Sequence, residues 1–365
     1  MLNYKVADMG SKGQEIFDCL KHDILIGKYA VGKKFPSIAQ LMRWFGVSRV
    51  TAVRVAEKLK KEGLVVSCQG RGTFVTRRAL SQVGAIGLIV PGCCYSDVFS
   101  LISQKISGLV RESGRALLFG DVTSPDPKVR AERVLELATA FANANVSGVI
   151  YQPIELVANA DEVNKRILSI FDDAGIPIVL IDNDITQSPD RSGYELVSVN
   201  SFDVGRRLAG HLVDAGAKCI CFLQRPTEAY SIRSRLMGVK SVCFERRARL
   251  VVSSVDVSDV AAVKRLLRRS AAPDAIVCRN DRIAAVLLQT LRKLGVRVPR
   301  DVRVTGCNDS PHAAMLEPSL TTVSMPCADI AATAFRFLTE RIADPSLPVR
   351  ECYLMASLVE RGSTR

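Results

Sequence analysis

A chain of 365 residues, 48% of them hydrophobic, is long enough for two or three domains with cores of their own. Its net charge of +13 is uneven: residues 1–77 carry 14 Lys and Arg against 6 Asp and Glu, a concentration that suits a polyanion partner. No apolar run reaches the ~18 residues of a membrane span, and MLNYKVADMG lacks a signal-peptide core. The expectation is therefore a cytoplasmic protein with no membrane partner. Eleven cysteines form an odd set without CxxC spacing, and Cys93-Cys94 and Cys219-x-Cys221 are too close for easy disulfides. Buried free thiols are expected, with no metal site.

Residues 13–29 place Ile16, Leu20, Ile24 and Leu25 on one helical face. Residues 36–46 read as a second short helix that ends in a turn at Gly46, with Trp44 assigned to the small core. In the next stretch, WFGVSRVTAVRVAEKLKKEGL, Val47, Val53 and Leu59 recur at helical spacing, with Val50, Val55 and Ala56 completing an apolar face. Ser48 is placed to cap this helix and Gly63 to end it, which leaves Arg49, Thr51 and Arg54 on the exposed side. Arg can bond a guanine edge twice, and Thr can bond a phosphate. Leu64 to Arg77 reads as a hairpin turning at Gln69-Gly70-Arg71-Gly72. Helix, tight turn, basic helix and hairpin are the order of a winged helix-turn-helix.

At GKYAVGKKFPS, FGVSRVT, LKKEGLV and GRGTFV the chain resembles the GntR family of bacterial transcription regulators, over about residues 13–77. The resemblance implies DNA contacts at Ser48, Arg49, Thr51, Arg54, Gly70, Arg71 and Gly72. Ile38-Ala39 stand where that family often has Glu-Arg.

Residues 78–84 are a polar linker, and residues 85–365 follow as an α/β domain. Apolar strands alternate with amphipathic helices from AIGLIVP (85–91) to LTTVSMP (320–326) and the last helix, 329–344. This predicts parallel sheets covered by helices on both faces, and about ten strands suit two open sheets better than one. Ligands in such folds bind beyond the carboxyl ends of strands, which singles out Tyr95-Ser96-Asp97, Gln152, Asp182-Asn183, Asn280-Asp281 and Asn308-Asp309.

VSGVIYQP, IPIVLIDND, NSFDVGRRLAGHLVDAGAKCICFL, SIRSRLMGVKS, the long segment PDAIVCRND to VTGCND, and PSLTTVSMP resemble the effector core of the LacI/GalR regulators. That core is two-lobed and similar to periplasmic sugar-binding proteins. The resemblance implies effector contacts at Tyr95, Gln152, Asp182, Arg235, Asn280 and Asn308. Asn200 and Asn308 stand where the family commonly has Asp, and Asn200 is expected to cap a helix.

His22, His211 and His312 are far apart in sequence, and no P-loop, GxGxxG after a strand, HExxH or GxSxG is present. No enzyme activity and no cofactor are expected. The two resemblances together imply a transcription regulator, expected to be a repressor. Its partners would be double-stranded DNA with a palindromic operator, a small-molecule effector, expected to be a sugar, and a second copy of the chain. A ligand-blind repressor and a sensor acting through a protein partner are the alternatives.

Overall fold

Local signals bound two of the helices described in the N-terminal head. The computed structural model describes residues 11–25, 28–29, 32–68, 71–76, 84–90, 97–186, 190–268 and 272–365. Helix α1 (Ser11–Leu25) precedes α2 (Ile38–Phe45), whose N-terminus carries a capping box between Ser37 and Gln40. Gly46 ends α2 at φ 59°, a left-handed turn that glycine enters without a Cβ clash. Ser48 then caps α3 (Arg49–Lys61), its Oγ accepting the Thr51 N–H at 3.3 Å. Strands β1 (Val65–Cys68) and β2 (Gly72–Val75) pair antiparallel as the wing. Residues 32–35 add to this hairpin: the Phe35 N–H donates to Thr73 O at 2.7 Å.

The head core contains Ile16, Phe17, Leu20, Ile24, Leu41, Ala52, Val55 and Leu59. Two expectations are corrected here. The buried face of α3 is Ala52, Val55 and Leu59, whereas Val50 (60% exposed) and Val53 (39%) face outward. Trp44 is 54% exposed rather than in the core. With apolar residues on several sides of α3, only the position of α1 and the hairpin decides which side is covered.

The rest of the chain folds about two parallel sheets. The first runs β13-β7-β6-β5-β3-β4, from β3 (Ile86–Val90), β4 (Leu117–Asp121), β5 (Gly148–Tyr151), β6 (Ile178–Ile181), β7 (Glu195–Val199) and β13 (Glu351–Leu354). The second runs β11-β10-β8-β9, from β8 (Cys219–Leu223), β9 (Arg249–Ser253), β10 (Ala275–Val277) and β11 (Arg303–Thr305). Strands β3, β5, β6 and β8 are buried throughout, as sheets covered on both faces require. Helices α4 (Asp97–Glu112) and α11 (Cys327–Ala343) cover one face of the first sheet, α5 (Pro127–Asn143) and α6 (Ala160–Asp173) the other. On the second sheet α7 (Ser201–Asp214) and α8 (Tyr230–Glu245) lie opposite α9 (Val260–Leu267) and α10 (Asp281–Lys293).

The expected ten strands do form the two sheets, but one member differs. Strand β12 (Thr322–Ser324) lies outside them, paired antiparallel with β14 (Ser357–Val359), while the edge of β11 is met by the Val304 N–H bond to Ser363 O. The tenth strand is β13, which the sequence reading passed over. Its side chains alternate between exposed and half-buried, so it has no apolar run, and Arg350 anchors its start on buried Glu195 at 2.6 Å. The chain therefore crosses between lobes three times, after β7, after β12 and after β13. The expectation of buried thiols holds for Cys219, Cys221, Cys243, Cys278, Cys307 and Cys327 but fails for Cys19 and Cys68, which are exposed.

Candidate functional site

Two regions carry the residues singled out above. In the head, Arg49 and Arg54 are exposed on the first turns of α3 and Arg71 is exposed beside the wing turn. The first turn of α3 holds no acidic residue, so its N-terminal N–H groups and the helix dipole favour an anion. Thr51 is half-buried, and its hydroxyl lies 3.0 Å from Ser48 Oγ, so both side chains shape the helix start. Gly72 opens β2 against the Lys34 side chain. Gly70 lies outside the described residues.

In the two-lobed part, a cavity of about 1310 Å³ opens between strand ends of both lobes. Gln152, Glu155 and Asp182 line it from the first lobe, and Arg225, Thr227 and Ile232 from the second. Asp182 follows β6 at φ +73°; its N–H is held by Val197 O at 3.1 Å, and its carbonyl accepts from the Ser198 hydroxyl. Burial, with repulsion from Glu155 second, pushes its carboxyl up to about 7 against the pull of Arg235 and a hydrogen bond from Gln152. Burial also raises Glu155, opposed by the hydrogen bond from the Tyr230 N–H and by the Arg233 charge.

That hydrogen bond joins the lobes. Ala229, the N-cap of α8, has no side chain able to cap, and the Tyr230 N–H at the helix start donates instead to Glu155 Oε1 at 2.7 Å. A first-lobe carboxylate thus sits at the positive end of a second-lobe helix.

Arg235, on α8, is 2% exposed. Its Nη1 donates to Arg279 O at 2.7 Å, and its Nε finds no partner among the described residues. Backbone contact between helices sets its position: a Cβ on Gly205 of α7 would stand 2.0 Å from Arg235 O, and one on Gly238 of α8 2.0 Å from Phe202 O. Only glycine permits so close a crossing. Arg279 in turn pairs with Glu228 at 3.2 Å, both largely shielded from solvent.

The structure brings Gln152 and Asp182 to one cavity wall with the Arg235 charge beside them. It does not do the same for the two asparagines. Asn280 caps α10, its Oδ1 accepting the Ile283 N–H at 3.0 Å. Asn308 sits at φ +113° with its N–H on Val323 O. Neither lines the cavity. Tyr95 lies outside the described residues. Asn200 caps α7 through the Asp203 N–H at 3.1 Å, as expected. Sequence reasoning missed Glu155 and Arg225, and the available signal was a charged residue just past an apolar strand in YQPIE and CICFLQR.

Among the described residues no group of His, Cys, Asp or Glu is placed to hold a metal, and no helix is long and apolar enough to cross a membrane. His211 bonds Thr364 at 2.8 Å, and burial lowers its pKa.

A winged head joined to a two-lobed, parallel-sheet fold with a cleft between strand ends defines a helix-turn-helix regulator with an effector-type domain. Comparison with known proteins agrees. Residues 12–75 match the family described as bacterial regulatory proteins, gntR family, and residues 209–364 match the periplasmic binding protein-like domain. The HTH-type transcriptional regulator MalR of Streptomyces coelicolor is 30% identical over 293 residues, covering 77% of this chain and 80% of its own. The arabinose metabolism transcriptional repressor of Geobacillus stearothermophilus is 24% identical over 354 residues, 94% of each chain. The fold is shared by a LacI family transcriptional regulator from Enterococcus faecalis with bound ribose, with TM-score 0.63 and 24% identity over 76% of this chain and 98% of that one. The chain belongs to the bacterial transcription regulators that carry a GntR-type winged helix-turn-helix head and a LacI/GalR-type, periplasmic-binding-protein-like effector domain.

Proposed function

We propose that this regulator is a cytoplasmic repressor whose operator affinity is set by a sugar bound in the interlobe cleft. In this reading residues 1–77 bind DNA, 78–84 link, and 85–365 sense the effector. The observation that carries it is the cleft itself: Gln152 and Asp182 from one lobe face Arg225 and the start of α8 from the other, with buried Arg235 behind them. Hydroxyl groups both donate and accept, so a carboxyl, an amide and guanidinium groups can bond a sugar from two sides. The relatives' names and bound ligands, arabinose metabolism and ribose, support the same class.

The mechanism is linkage. A ligand bonded to both lobes favours the closed arrangement that the Glu155–Tyr230 bond already joins. Closure shifts the spacing of the two heads in a homodimer, and spacing governs affinity for a two-fold operator. The test is thermal unfolding of the full chain against pentoses, hexoses, uronic acids, deoxysugars and purines. A ligand that binds only the native state adds about 2.7 kcal/mol at a hundredfold excess over Kd. A sugar-induced shift that disappears in Asp182→Asn and releases operator DNA is expected. Operator binding that no panel member alters would instead support a ligand-blind repressor.

A further inference from the structure

The outward face of α3 is not what a phosphate-binding helix alone requires. Successive residues turn by about 100°, so the direction opposite the buried Ala52, Val55 and Leu59 belongs to Val50, Glu57 and Lys61, with Arg54 to one side and Val53, then Arg49, to the other. The exposed face therefore carries two valines, Val50 near its centre at 60% exposed and Val53 beside it at 39%. Neither burial nor helix propensity accounts for valine there, since a β-branched side chain is a weaker helix former than Ala, Lys or Glu. On the same helix exposed Arg49 and Arg54 flank the pair, which suits a negatively charged surface.

We infer that Val50 and Val53 read thymine C5-methyl groups in the major groove, making them specificity-determining residues of the operator contact. The inference rests on the proposal above that the head binds DNA through α3. The thymine methyl is the one apolar feature of the major-groove base edges, and the minor groove offers none. Arg49 and Arg54, flanking the valines, match the phosphates or guanine edges beside such a methyl. A protein partner would have to offer apolar groups ringed by acid, and the test separates that case.

Full-length protein selects its preferred duplexes from a random-sequence pool. The best duplex is then remade with deoxyuridine for one thymidine at a time, which removes only the methyl group. We expect one or two positions in each recognition site where this weakens wild-type binding by about fourfold, the value of one buried CH2 group. In Val50→Ala or Val53→Ala the matching position should lose its sensitivity to uracil. Both sites are exposed and alanine suits a helix, so the variants should melt with the wild type. A selected site that depends on Arg49 but tolerates uracil at every position overturns this inference and leaves DNA binding intact. An equal uracil effect in wild type and both variants also overturns it. Failure to select any duplex overturns the DNA-binding reading and this inference with it.

Discussion

The head and the effector domain carry their chemistry in opposite ways. Arg49, Arg54 and Arg71 stand in solvent on a small scaffold, and their placement follows from one helix cap and one hairpin. In the cleft, Arg235 is 2% exposed, Glu228 is paired with Arg279, and Asp182 is raised by burial and by Glu155. A DNA groove arrives with its own charge and shape, so exposed donors on a rigid helix suffice. A small neutral ligand offers little to grip, and its site must hold polar groups dry and oriented beforehand. Each region therefore fails differently under mutation.

The largest effect is expected at the edge of the first lobe. Arg350→Ala leaves Glu195, 2% exposed, with Arg341 at 3.3 Å as its remaining guanidinium partner. Losing the Arg350 hydrogen bonds to a carboxylate that keeps one cation costs about 1.5–3 kcal/mol. Urea unfolding should show that loss; a midpoint equal to wild type would mean that β13 is held by its ladder alone. Next is Gly205→Ala, whose Cβ would meet Arg235 O at 2.0 Å and force α7 and α8 apart, at a cost of about 1–3 kcal/mol. It should also abolish the sugar-induced thermal shift while an isolated operator contact survives. If DNA binding fell equally, the two regions would be less separate than described.

Arg49→Ala reverses the pattern. Operator affinity should fall by about 5- to 150-fold, the 1–3 kcal/mol of a bidentate base contact, with the melting temperature and the sugar shift unchanged. Undiminished affinity would remove α3 from the groove.

The remaining effects are electrostatic and are read against pH. The folded-state pKa of Asp182, about 7, lies above its ordinary unfolded value, so between them the native state holds a proton that the unfolded state has released. Stability from this group is greatest at low pH and is lost as pH rises from about 4 towards 7. Wild type should thus lose stability relative to Asp182→Asn across about pH 4 to 7, and parallel curves would contradict the buried site. Glu155→Gln removes the second cause of the shift and replaces the carboxylate at the start of α8 by a neutral amide, losing an interaction of about 0.3–1 kcal/mol. The pH midpoint should move down in this variant, and no movement would separate Glu155 from Asp182.

By itself, the sequence determined the two-part fold and the local devices: the turn at Gly46, the caps at Ser48 and Asn200, and the apolar strands of both sheets. These depend on neighbours within a few residues, so composition and spacing record them. Tertiary structure decided what each polar strand end does. Asn280 and Asp182 both follow buried strands, yet one caps a helix and the other lines the cavity. It also decided that Val50 and Val53 face outward, because packing by α1 and the wing selects which apolar side of α3 is covered. The Glu155–Tyr230 bond joins residues on different lobes, and no short-range pattern encodes an approach made only when the chain has crossed between them.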